Sequence, residues 1–153
     1  MKAWRIDSHG GNEVLRRIEL ETPKPGLGEA RIEIKAVGLN HLDLWVRKGV
    51  PGHKFPLPLI PGTDAVGVIT EFGPSSEEST GEFKIGSRVI IAPGISCGKC
   101  SACLSENDPL CPSFGIRGET ADGGCADFVI APLRDLIQIP DSISFPEAAA
   151  IGI

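Results

Sequence analysis

Chain-breaking residues set the first limit on what this sequence can fold into. Nineteen glycines and thirteen prolines are spread through 153 residues. Four of the prolines, Pro51, Pro56, Pro58 and Pro61, fall between Gly49 and Gly62. Proline lacks the helical donor and clashes with the preceding turn, so residues 49–62 are not a helix. Breakers at this density favour short strands joined by turns. The apolar pattern agrees: Ala30, Ile32, Ile34 and Ala36 alternate with Arg31, Glu33 and Lys35, the period-two signature of a half-buried strand. Further strands are predicted over residues 1–6, 13–20, 64–72, 88–92, 126–131 and 136–139. Gly67 marks a bend or a close backbone approach inside one of them. Leu39, Leu42 and Val46 have helical spacing, which predicts one or two helical turns over 39–48. Residues 75–82 read as a solvated turn. Ser144 and Glu147 stand at capping-box spacing with Pro146 in the first turn, so a helix begins there. The prediction is a mainly β, mostly antiparallel fold, closed or nearly closed, with short helices.

Several function classes are disfavoured at this stage. The net charge is −5 and no basic block occurs, which argues against nucleic acid as a partner. No run of about 18 apolar residues would span a membrane. The opening MKAWRIDSHG turns polar by Asp7 and lacks an apolar signal core. A cytoplasmic location with reduced cysteines is therefore expected. There is no internal repeat, no phosphate-binding loop and no strand–GxGxxG–helix unit; the GLG at residues 26–28 lies in a proline-rich turn.

Cys97, Cys100, Cys103 and Cys111 form a C-x2-C-x2-C-x7-C cluster. Four thiolates satisfy a tetrahedral zinc ion at about 2.3 Å each and leave no position open for water or substrate, so such a site is structural. Gly98 lets the first turn fold tightly. Disulfides, an iron–sulfur cluster and four unliganded thiols are the rival readings. Disulfides need an oxidising compartment, and the seven-residue last gap departs from the ferredoxin spacing. Cys125 lies apart, in GGCADF, and reads as a small buried residue.

Four stretches carry a family resemblance: KAVGLNHLDLWVRKG (35–49), PLIPGTDAVGVITEFG (58–73), the cysteine loop, and DGGCADFVIAP (122–132). The chain resembles the N-terminal catalytic domain of the zinc-containing alcohol dehydrogenase and quinone reductase superfamily, the medium-chain dehydrogenases/reductases. The resemblance implies a GroES-like β-barrel over residues 1–145. It implies that residues 146–153 begin the helix leading to a Rossmann domain that binds NAD(P)H and that these residues do not include. It also implies activity only when full length, and a possible homo-oligomer. Two departures stand out. Asn40 occupies the position of a catalytic-zinc cysteine, and Gly62-Thr63-Asp64 stands where zinc-dependent members have G-H-E. A third ligand would lie past Ile153. Asn with G-x-D is the pattern of zinc-free quinone and enone reductases, which usually lack the four-cysteine loop. Asp43 keeps the position of the carboxylate that, in the family, stands behind the metal ligands.

The residues implied for the site are Asn40, Asp43, Thr63 and Asp64 for catalysis and Asn40 with His41 for the cofactor. Each also has a plain structural reading. Asn40 and Asp43 are capping types, His41 is a loop histidine, and Thr63 and Asp64 are turn residues. Trp45 and Phe55 are expected in the core rather than in a pocket wall, and His9 and His53 on surface loops. A rebuilt metal site from His41, Asp43, His53 and Asp64 is a further alternative. The expected function of the full-length protein is NAD(P)H-dependent reduction of an enone or quinone without catalytic zinc. Zinc-dependent alcohol oxidation by a dehydrogenase with atypical catalytic ligands, and a non-enzymatic zinc-stabilised binding module, are the alternatives.

Overall fold

A computed structural model describes residues 1–74, 81 and 83–152. In chain order its strands and helices begin with β1 (Lys2–Ile6), β2 (Leu15–Glu19), β3 (Glu29–Gly38), α1 (His41–Lys48), β4 (Asp64–Phe72) and β5 (Arg88–Ile91). There follow β6 (Gly94–Ile95), α2 (Ser101–Leu104), β7 (Gly115–Ile116), β8 (Phe128–Pro132), β9 (Leu136–Gln138) and α3 (Phe145–Ala149). Five strands form one antiparallel sheet in the order β8-β3-β4-β5-β9, while β1 pairs with β2 and β6 with β7. Among the described residues the ladder does not close on itself. Its edge strands β8 and β9 are joined by the 3-10 turn Leu133–Asp135, which bonds to Gly28 and Ala92. No helix among the described residues is long and apolar enough to cross a membrane.

The alternation in β3 sends Ala30 and Ile32 into the main core, where they meet Ile69 of β4, Val89 and Ile91 of β5, and Ala131 of β8. A second core forms where Ala148 and Ala149 of α3 pack on Val66 and Ile139. A third holds Ile6, Val46 and Leu59, and fastens α1 to β1 and to the proline-rich segment. Strand β4 is therefore covered on both faces, which accounts for its nearly continuous apolar run.

Gly67 is a point of close approach. A Cβ there would stand 2.1 Å from the Glu33 carbonyl oxygen. The β3–β4 register shifts between Ile34 and Ala36, next to the Gly67 pairing. The start of α1 follows from Asn40, whose backbone is extended, and from Asp43, whose carboxylate accepts the Asn40 N–H at 2.8 Å. Gly49, at φ 78°, ends the helix. At α3, Ser144 and Glu147 form the capping box that their spacing predicts.

Three details differ from the sequence reading. The cysteine loop contains its own short elements, β6, α2 and β7, whose two- and four-residue lengths carry no periodic signal. Residues Asn12–Val14 form a 3-10 turn before β2. Strand β8 begins at Phe128, because Ala126 is engaged instead in an isolated bridge to Ala3. The turn predicted over 75–82 lies almost wholly outside the described residues. Since Gly67 has no room for a methyl group, Gly67→Ala is expected to lower the unfolding free energy by about 1–3 kcal/mol. The check is the urea midpoint of the variant against the parent.

Candidate functional site

The first candidate is the cysteine lobe between β5 and β8. Cys100 is the N-cap of α2 and Cys103 lies on it, while Cys111 ends the 3-10 turn Asp108–Leu110. The four sulfurs converge within 4.8 Å of one another. Cys97 Sγ lies 3.9 Å from Cys103 Sγ, and Cys100 Sγ lies 3.4 Å from it. Sulfurs about 2.3 Å from a shared tetrahedral zinc stand about 3.8 Å apart, so this arrangement fits the ion. None of the cysteines is disulfide-bonded. Backbone N–H groups of Cys97 and Ser113 donate to Cys111 Sγ at 3.4 Å each. The N–H groups of Lys99 and Cys100 draw the Cys97 thiol down to about 6. Burial and the adjoining Cys100 thiol push Cys103 up to about 12.

Polar contacts tie this lobe to the sheet. Arg134 donates to the Ser96 carbonyl, and Ser96 to the Asp108 carboxylate. Arg134 also pairs with Asp135 at 3.5 Å, and Asp135 pairs with buried Arg117 at 3.2 Å. Gly98, at φ 69°, sits against the Arg134 guanidinium with no space for a Cβ. The lobe has little core of its own: Leu104 and Leu110 are exposed, and Cys111 is the only one of its thiols to be buried.

The second candidate is a cleft of about 540 Å³ at the N-terminal end of α1. Its apolar wall is Trp4, Leu15, Leu39 and Leu44. Asn40, His41 and Arg47 add polar groups, and Pro61 and Cys125 close the side formed by loops. Asp43 is 7% exposed, and its two oxygens hold two segments together. One accepts from Asn40 N at 2.8 Å and the other from Gly62 N at 2.9 Å. Asn40 Nδ2 donates to Asp64 Oδ2 at 2.7 Å. Asp64 is 3% exposed and Thr63 is fully buried. Asp64 Oδ1 and Thr63 Oγ1 have no hydrogen-bond partner among the described residues. Gly62, at φ 103°, lies under Cys125, Gly118 and Gly123, so that backbone packs directly on backbone.

The model of the alcohol dehydrogenase GroES-like domain matches residues 26–141. The chain belongs to this family. An alcohol dehydrogenase of Geobacillus stearothermophilus is 42% identical over 135 residues, which are 87% of this chain and 39% of that protein. The crystal structure of an NAD-dependent alcohol dehydrogenase superposes with a TM-score of 0.91 at 45% identity, covering 99% of this chain and 43% of the other. The cobalt- and zinc-bound thermostable alcohol dehydrogenase of Pyrobaculum aerophilum superposes with a TM-score of 0.86 at 33% identity, over 100% of this chain and 45% of its own. The chain thus spans about two-fifths of the length of these relatives.

In this GroES-like domain the four thiols fit a structural zinc: every ligand position is filled by protein. Around the cleft the donor set is different. Asn40 presents an amide N–H to Asp64 and Thr63 a buried hydroxyl, and neither is a zinc donor. The two positions do not fit a catalytic zinc of the kind the family's Cys and G-H-E would hold. The rebuilt site from His41, Asp43, His53 and Asp64 is not formed either. Among the described residues only the four thiols converge closely enough for a metal. His53 instead faces Glu119 at 3.5 Å and stacks on Phe55.

Other placements depart from expectation. Trp45 is 54% exposed and packs beside His41 rather than in the core. Phe55 joins the Ile6–Val46–Leu59 core between the rings of His9 and His53. His9 remains on the surface, but its Nδ1 lies 2.9 Å from the Val46 carbonyl near the end of α1. Cys125 is half-buried and lines the cleft; burial and the Asp43 charge push its thiol up to about 11. Trp4, Leu15 and Arg47 are cleft residues that the sequence did not reveal. Trp4 is legible as part of a strand, but its facing depends on where the β1–β2 hairpin lands.

The lobe has little core to retain it once metal is lost. Cys103→Ser is therefore expected to abolish zinc retention, measured as moles of zinc per chain after dialysis against a weak chelator. Amide hydrogen exchange should then quicken over residues 94–116 while β3 and β4 stay protected.

Proposed function

We propose that this chain is the substrate-side domain of an NAD(P)H-dependent oxidoreductase that reduces an enone or a quinone without a metal at Asn40 and Thr63. On this reading residues 1–145 form the catalytic domain, and residues 146–153 lead into a nucleotide-binding domain that holds most of the cofactor. Relatives more than twice as long as this chain, one described as NAD-dependent, support that division. The observation that carries the reading is the Asn40–Asp64 contact at 2.7 Å beside an apolar cleft.

An amide nitrogen has two N–H groups. Asp64 takes one, which fixes the plane of the Asn40 amide and leaves the other for a substrate oxygen. When bound, the nicotinamide supplies the hydride. The chain's own part is to seat the apolar body of the substrate against Trp4, Leu39 and Leu44, and to stabilise negative charge as it develops on the carbonyl oxygen. A pre-positioned donor does this without reorganising during the reaction, and removing one such donor costs about 10²–10³ in kcat. Asp43 acts through others, by holding α1 and the Gly62 turn in register. On this reading His41, exposed at the start of α1, meets a cofactor phosphate.

A second reading is zinc-dependent alcohol oxidation, favoured by relatives that are themselves alcohol dehydrogenases. Zinc content of the full-length protein separates the two. One zinc per chain is the expected result, and two would overturn the metal-free reading. Asn40→Ala in the full-length protein is expected to lower kcat for enone reduction by about 10² with a smaller change in KM. Unchanged kcat would remove Asn40 from the chemistry. Residues 1–153 alone are expected neither to turn over nor to bind NAD(P)H measurably, as read by cofactor fluorescence.

A further inference from the structure

The cleft does not end at Trp4. A second groove, of about 340 Å³, adjoins it, and the two share Trp4 and Cys125. Gly124, Cys125 and Ala126 form part of the second groove's lining, and their small side chains keep the junction low. The character of the lining changes there from apolar to basic. Lys2, Arg17 and Lys35 face the groove against one carboxylate, Asp127.

Strand register explains the change. Trp4 stands opposite Arg17 in the β1–β2 ladder, and Lys2 lies two residues from Trp4 on the same face. A face that gives an aromatic ring to the cleft therefore gives cations to the groove beside it. The cations are not equally engaged. Lys35 Nζ pairs with Glu33 at 2.6 Å, and Asp127 accepts the Lys2 backbone N–H at 2.6 Å. Glu19 stands opposite Lys2. The side chains of Lys2 and Arg17 make no ion pair among the described residues. Two cations without an ion-pair partner among the described residues thus line the groove next to the cleft, on a chain of net charge −5.

We infer that this groove holds an anionic tail of the same substrate whose carbonyl end lies at Asn40. This rests on the function proposed above and narrows it to a class: a carbonyl compound joined by a flexible chain to a phosphate or carboxylate. The apolar cleft binds the body, and Lys2 with Arg17 selects the charge at the far end. Ion pairs to exposed cations such as Lys2 and Arg17 are weak, so the tail is a specificity determinant rather than the main source of affinity.

The test uses the full-length protein and one enone carrying a hydroxyl, a carboxylate or a phosphate at the end of the same flexible chain. The expected result is a KM roughly fivefold lower for the anionic forms than for the hydroxyl form, shrinking as salt is raised. The phosphate and carboxylate arms identify which anion is preferred. In the double variant Lys2→Glu/Arg17→Glu the ratio of the two KM values should fall to one or invert. Equal KM values in the parent, or a preference that survives charge reversal, would overturn the inference. If no form of the enone is reduced, the proposed function fails instead, and the groove is decided by binding. In the 153-residue chain a Trp45→Phe substitution leaves Trp4 the sole tryptophan, and pyrophosphate should change the fluorescence of that chain saturably, an effect lost on charge reversal. No saturable change would overturn the inference in that case.

Discussion

Asp43 is the carboxylate on which the cleft depends. It is buried, and each of its oxygens accepts a backbone N–H from a different segment: Asn40 at the start of α1 and Gly62 at the end of the proline-rich stretch. Charge-assisted bonds of this kind are worth about 1.5–3 kcal/mol each, more than the weak helical propensity of an eight-residue helix supplies. The two bonds set where α1 begins and hold the Gly62-Thr63-Asp64 turn against it. Only with both in place does Asp64 reach the Asn40 amide. The polar end of the cleft is thus a chain of hydrogen bonds that begins at one buried charge, and its orientation needs no metal.

The two candidate sites follow opposite physical rules. The cysteine lobe has almost no buried apolar surface, so its order comes from a closed set of thiols and from the Arg134–Asp135–Arg117 ties to the sheet. The cleft adjoins the Ile6–Val46–Leu59 core through Leu15 and carries its polar groups at the start of α1. A metal in the lobe holds chain together and leaves no place for substrate. The cleft has room for a ligand, and Asn40 and Thr63 beside it are poor zinc donors. This separation explains how a chain can hold a four-thiol metal site while residues 40 and 63 offer no good zinc donor.

Much of the fold was legible because its periodicities are local. The alternation from Ala30 to Ile34, the apolar run of β4 and the capping box at Ser144 each depend on neighbours within a few residues, and each is present in the structure; Ala36, past the register shift, packs on the second core instead. Gly67 was legible as an exception, though the reason for it, the Glu33 carbonyl across the ladder, was not. The short elements of the cysteine lobe escaped, because two- and four-residue segments have no period to detect. Trp45 was misplaced for a different reason: aromatic residues usually bury themselves, but α1 turns only Val46 and Asp43 inward.

By itself the sequence determined the β class, the four-thiol set and the absence of good zinc donors at residues 40 and 63. Those properties reside in residue type and spacing, which folding cannot alter. Only the tertiary structure decided what these residues face. It joined Asn40 to Asp64 across twenty-four positions, brought Trp4 of β1 to the cleft with Arg17 beside it, and moved Cys125 from an expected core position to the cleft wall. Such contacts arise from strand register and from backbone packing at Gly62, Gly118 and Gly123. They depend on pairings between distant segments, and no local pattern encodes which partners those segments find.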